Sequence, residues 1–114
     1  ADGAWAEQRA QKHLERHGLT LIERNFASRF GEIDLIMRDR ATLVFVEVRL
    51  RRNLDFGHPA ETVTHAKRAR IRRTAAYYLK HRRGGAAPDC RFDVVAIVGG
   101  RERSSTERLR DAFY

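Results

Sequence analysis

Cysteine is nearly absent: Cys90 stands alone in the 114-residue chain, so neither an internal disulfide nor a zinc-type cysteine cluster can form, which fits a reducing compartment. Long apolar runs are missing as well. None approaches the roughly 20 residues needed to span a bilayer, and no basic segment leads into an apolar stretch in the manner of a signal peptide. The expectation is a soluble cytoplasmic protein with no membrane partner. Internal repeats, low-complexity tracts and linkers are lacking too, and the length suits one core, so residues 1–114 read as a single domain. No recognition-helix or zinc-finger spacing is present, which argues against sequence-specific base reading. Lysine is scarce: Lys12, Lys67 and Lys80 are the only ones, and the other long cationic side chains are arginine.

Positive charge is what the chain has in excess. A net charge of +8 and a pI near 10.7 point to a polyanionic partner, nucleic acid before all others. Arg49, Arg51 and Arg52, together with Lys67 and Arg70, form a set able to follow a phosphate backbone with salt-dependent, largely sequence-independent binding. The neighbouring Arg68, Arg72, Arg73, Arg82 and Arg83 spread too widely to make one stripe, and several of them read as a solvated face.

Periodicity orders the chain as helix, three strands, helix, strand, an α/β domain with a mixed sheet flanked by helices. Residues 4–17 form a first helix with Ala6, Ala10 and Leu14 on one stripe and Gly18 as its stop. Leu19 to Phe26 is a strand. Two further strands form a hairpin, and Arg51 to Thr64, containing Gly57 and Pro59, is a loop able to close over a site. A second helix over 63–81 carries Ile71, Ala75, Tyr78 and Leu79 on one face and ends at Gly84-Gly85. Arg91 to Val98 is the next strand, and the charged tail from Arg101 ends in Leu109, Ala112 and Phe113, which pack on the domain.

The hairpin holds the chemistry. Gly31-Glu32-Ile33-Asp34-Leu35-Ile36 and Val44-Phe45-Val46-Glu47-Val48-Arg49 set acidic groups inside two apolar strands. With Asp39 to Thr42 as the turn, Arg38 pairs with Leu43, and the count back places Ile36 opposite Phe45, Asp34 opposite Glu47 and Glu32 opposite Arg49. Two carboxylates then meet across the ladder, an arrangement that destabilises a sheet unless a cation intervenes. A hard divalent ion such as Mg²⁺ suits such a pair and retains waters for a phosphate-bearing substrate.

These residues, with Glu7, Asn25-Phe26, Arg51 and Arg91-Phe92-Asp93-Val94, resemble the bacterial YraN-like family of uncharacterised proteins. That family belongs to the PD-(D/E)xK, or restriction-endonuclease-like, nuclease superfamily and is similar to archaeal Holliday junction resolvases. The resemblance spans nearly the whole chain. It implies a metal-dependent endonuclease fold, with Asp34 and Glu47 as ligands of Mg or Mn, the backbone carbonyl of Val48 as a third ligand and Glu7 reaching in from the first helix. It also implies structured or branched DNA as partner, and a homodimer as the assembly of related enzymes that cut two strands. Two positions depart from the family pattern. Ala6 replaces a glycine, a matter of packing, and Arg49 replaces the motif lysine.

That second departure bears on mechanism. A guanidinium with a pKa above about 12 is no general base, although Arg49 can still stabilise charge on a phosphate as a catalytic group. Other readings stay open: a catalytically inactive nucleic-acid-binding protein of the same fold, or a basic adaptor for a protein partner. Asp34 and Glu47 could be satisfied by arginines, Arg49 could pair with Glu32, and Lys67 could snorkel to solvent. Tyr77 and Tyr78 read as core or helix-surface aromatics, with base stacking a lesser alternative, and His58 and His65 as incidental loop histidines.

Overall fold

The computed structural model describes residues 2–52, 63–84 and 88–113. Helix α1 (Asp2–Arg16) leads into strands β1 (Thr20–Ser28), β2 (Gly31–Asp39) and β3 (Thr42–Arg51); helix α2 (His65–Arg82) is followed by β4 (Cys90–Gly99) and β5 (Ser104–Phe113). The strands form one sheet in the order β1-β2-β3-β4-β5, with β3 and β4 parallel and the other neighbours antiparallel. The crossover between the two parallel strands contains α2, as a parallel connection requires. This is a mixed α/β sheet with two helices, consistent with a restriction-endonuclease-like fold.

Each helix covers its own apolar cluster. Ala6, Ala10 and Leu14 of α1 pack with Leu35, Met37, Val44, Val46, Val95 and Ile97. Ile71, Ala75 and Tyr78 of α2 pack with Phe26, Ile33, Ile36, Phe45 and Val94. Alternation on β3 and β4 therefore feeds both faces, as expected of central strands covered on each side. The α1 stop is as expected: Leu19 N–H donates to Leu14 O at 3.1 Å and Gly18 N–H to Glu15 O at 3.0 Å, with Gly18 at φ 91°, the left-handed turn that glycine adopts without strain. Thr64 caps α2, its hydroxyl accepting from Lys67 N–H at 3.2 Å. Gly85 and residues 53–62, including Gly57, His58 and Pro59 of the expected loop, lie outside the described residues.

Two features differ from the sequence expectation. The charged tail is a full edge strand, β5, paired with β4 from Gly99–Ser104 to Phe92–Phe113. Its burial alternates weakly, and charges on an edge strand discourage pairing with other chains, so hydrophobic periodicity does not reveal it. The hairpin register holds from Asp39–Thr42 through Arg38–Leu43 and Ile36–Phe45 to Leu35–Val46, and there it ends. Asp34–Glu47 and Glu32–Arg49 are not ladder pairs. Beyond Leu35 the next donor, Val48 N–H, is taken at 2.8 Å by the Asp34 carboxylate. A side chain has replaced the partner strand, and the two strands part where the acidic residues begin.

Candidate functional site

The parting of β2 and β3 opens a cleft of about 230 Å³ lined by Gly31, Glu32, Asp34, Glu47, Lys67, Arg70 and Ile71. Gly31 admits α2 to this edge. At φ 150° it sits where L side chains are strained, and a Cβ there would lie 3.4 Å from Thr74 Oγ1 and 3.7 Å from Arg70 Cβ.

Asp34 and Glu47 lie side by side although they are not ladder partners. Burial raises the Glu47 carboxyl most, and the Asp34 carboxylate beside it adds to the rise, bringing it to about 8 against the opposition of Lys67 and Arg49. A rise of this kind is what burial next to another carboxylate produces, since it disfavours the charged form of Glu47. Glu7 converges from α1. Its carboxyl is also raised, first by burial and then by Asp34, with Glu32 adding to the effect and Asn25 opposing it.

Glu7, Glu32 and Asp34 bring carboxylate oxygens within 4.8 Å of one another. Asn25 holds this arrangement. It lies between the Arg24–Leu35 and Phe26–Ile33 pairs at φ 51°, a left-handed position that asparagine tolerates better than most residues. With its amide oriented to satisfy both neighbours, its nitrogen donates to Glu7 Oε1 at 3.0 Å and Glu32 Oε1 at 3.1 Å. One neutral amide and one backbone N–H thus bind three converging carboxylates. An all-oxygen donor set of this kind suits a hard divalent cation better than a soft one.

Lys67 changes the electrostatic picture. Its ammonium lies 3.7 Å from Glu47 Oε1, so it turns into the cleft instead of snorkelling away from the sheet. The Thr64 cap sets the phase of α2 that brings it there, and no acidic side chain occupies the first turn of that helix. Arg70 lies one turn further along the same wall. Other cations are committed elsewhere: Arg68 donates to Val63 O at 2.9 Å, and Arg82 lies 3.5 Å from Glu23 Oε1. Arg49 is half-buried and close enough to Glu47 to lower its pKa.

The sequence-predicted residues therefore divide. Asp34, Glu47, Lys67 and Arg70 share the cleft, Glu7 reaches Asp34 from α1, and Val48 is tied to Asp34 through its N–H. Arg52 lines a separate cleft with Trp5 and Arg101, and Arg51 Nη1 donates to Leu50 O at 3.4 Å. Glu32 and Asn25 were not among the predicted site residues. The signal for Glu32 was its acidic identity two residues before Asp34, obscured by the expected pairing with Arg49. For Asn25, the signal was an asparagine interrupting a strand.

Residues 6–97 match the family described as Uncharacterised protein family UPF0102. A UPF0102 protein of Chromohalobacter salexigens is 50% identical over 111 residues, covering 97% of this chain and 89% of the relative. One of Nitrosomonas europaea is also 50% identical over 111 residues, covering 97% and 92%. One of Vibrio cholerae is 54% identical over 92 residues, covering 80% and 75%.

The chain belongs to the UPF0102 family, the YraN-like family that its motifs resemble.

Proposed function

We propose that this UPF0102 protein is a metal-dependent endonuclease-like phosphodiesterase acting on structured or branched DNA. The observation that carries the reading is the cleft in which Asp34 and the raised Glu47 carboxyl adjoin each other, with Lys67 Nζ 3.7 Å from Glu47. Asp34 and Glu47, with Glu7 and Glu32 beside them, would hold Mg²⁺ or Mn²⁺. When bound, such an ion supplies Lewis-acid polarisation of a phosphoryl oxygen and eases deprotonation of water.

The chain's own residues account for the remaining roles. Lys67 answers the problem raised at position 49. Arg49 cannot exchange its proton, whereas a lysine amine in the same cleft can orient a water and pass a proton to or from it. Arg49 and Arg70 serve as fixed positive charges for the scissile phosphate, and the acid-free first turn of α2 favours an anion at its N-terminus. Asn25 is a positioning residue, holding Glu7 and Glu32 toward Asp34. The net charge of +8 supports a polyanionic substrate without dictating its sequence.

The test is incubation with branched, nicked and linear DNA, each with Mg²⁺, Mn²⁺ or EDTA. Cleavage should require the metal and fall by about a hundredfold or more in Asp34→Ala, Glu47→Ala and Lys67→Met, the scale of losing a transition-state group. Metal-dependent cutting that survives Asp34→Ala or Glu47→Ala overturns the site. Arg49 favours a second reading, a binding protein of this fold without chemistry. Steeply salt-dependent binding without cleavage would establish it, and a gain of cleavage in Arg49→Lys would identify the reason.

A further inference from the structure

We infer that the surface next to the acidic cleft is a stacking subsite for an unpaired nucleotide. It rests on the nucleic-acid reading above and names the form of substrate that the site takes. A second hollow, of about 350 Å³, joins the β1–β2 turn to the outer side of α2 and is lined by Phe30 and Tyr77, with His81 beyond them, and by Arg29, Arg73 and Lys80. Among the described residues, no acidic side chain lines it.

The aromatic rings form a tilted stack with Phe30 edge-on to it. Tyr77 and His81, one helical turn apart, have centroids 4.1 Å apart and planes inclined by 32°, and Phe30 meets Tyr77 at 6.2 Å. Tyr77 leans inward on Phe26 at 6.1 Å, which fixes the stack to the core, while exposed His81 forms its outer end. The Arg29 guanidinium lies 4.9 Å over the Phe30 ring. Aromatic rings bordered by cations alone match a nucleotide, whose base offers a π face and whose backbone offers phosphate charge.

Location distinguishes this patch from an ordinary half-buried aromatic edge. Phe30 immediately precedes Gly31 of the acidic cleft, and Arg73 follows Arg70 by one turn of α2. A strand with a phosphate at the cleft would therefore lead a nearby nucleotide toward the exposed end of the Tyr77–His81 stack. In a continuous duplex both faces of each base are covered by neighbours, so only an unpaired nucleotide can occupy the patch. Junctions, flaps and single-stranded tails present such nucleotides.

The experiment uses the full chain in EDTA, so that nothing is cut. Binding is measured to a duplex with a single-stranded tail carrying 2-aminopurine beside the junction, and to the same sequence fully paired. The wild type should prefer the tailed DNA and change the 2-aminopurine fluorescence. Tyr77→Ala should weaken tailed-DNA binding by about fivefold or more while leaving the paired duplex unchanged, the usual scale of losing one base stack. Tyr77→Phe should retain the preference. Because Tyr77 also packs on Phe26, the exposed His81→Ala provides a second test, expected to lose about two- to threefold on tailed DNA only.

Equal losses on both DNAs, or no loss in either alanine variant, overturn the subsite. Cleavage that persists with that result leaves the nuclease reading standing. A Tyr77-dependent fluorescence change in a protein that never cleaves keeps the subsite and removes the nuclease reading. No binding to either DNA removes both.

Discussion

Two buried acids, Asp93 and Glu47, sit in different parts of one sheet, and their surroundings treat them in opposite ways. Asp93 is 0% exposed, and its carboxylate accepts from Arg91 Nε at 3.0 Å, Arg91 Nη2 at 3.3 Å and Asp111 N–H at 2.9 Å. The same arginine reaches Asp39 at 2.9 Å and holds that carboxyl below its ordinary value. Charges there are closed by partners the fold itself supplies. At the cleft, Glu47 is 8% exposed, with Lys67 Nζ 3.7 Å from its Oε1, and its carboxyl is driven up instead of down. A buried ion pair with complete hydrogen bonding is a structural clamp, whereas a buried carboxyl group held next to another is disfavoured in its charged form.

The largest effect should come from opening the closed group. Arg91→Met leaves Asp93, among the described residues, with the Asp111 N–H as its remaining donor, and it should destabilise the domain by about 3–5 kcal/mol in urea unfolding. A loss below about 1 kcal/mol would mean that Arg91 does not neutralise that end of the sheet.

The cleft should respond in the other direction. Because the folded Glu47 pKa lies near 8 and its ordinary value is 4.5, the folded state holds the extra proton between them. In the absence of metal, stability must then fall as pH rises through that window, whereas the contribution of Asp39, whose pKa is lowered, is lost only as pH falls through the acid range. Glu47→Gln should flatten the upper arm and raise stability at pH 8.5 by about 1–3 kcal/mol, read from unfolding across pH. An unchanged pH profile would place Glu47 among ordinary carboxylates.

Divalent ions offer a milder probe of the same contrast. At ten times its dissociation constant, Mn²⁺ should stabilise the wild type by about 1.4 kcal/mol at pH 8 and leave an Asp34→Asn/Glu47→Gln variant unmoved, measured by thermal unfolding. Equal stabilisation of both proteins would move the ion elsewhere. The smallest effect is expected at Asn25, where alanine removes the donor to Glu7 and Glu32 and fits the left-handed backbone poorly, for about 1 kcal/mol. Asn25→Gly should recover the backbone part alone, and identical melting of the two variants would deny that part.

Much of this was legible in the chain. Alternating apolar residues and a short turn define the β2–β3 hairpin, and the register from Asp39–Thr42 to Leu35–Val46 follows by counting. The α1 stripe of Ala6, Ala10 and Leu14 and its glycine stop are equally local signals. Strand β5 was not legible, since an edge strand carrying Glu107, Arg108, Arg110 and Asp111 has no apolar period to read. The site was half legible: Asp34 and Glu47 stood out as acids in apolar strands, but their expected ladder pairing was replaced by the Asp34 bond to Val48 N–H.

The sequence alone determined the order of the first six elements, the acidic hairpin, the arginine at position 49 and the surplus of cations, because each is a matter of residue identity or of spacing over a few positions. Only tertiary structure decided that Glu32 joins Glu7 and Asp34, that Asn25 holds the first two, and that Lys67 turns toward Glu47. Those contacts join α1, β1, β2, β3 and α2. They depend on how a capped helix is phased and how closely it docks at Gly31, quantities set by the packing of both faces of the sheet together and by no single stretch of chain.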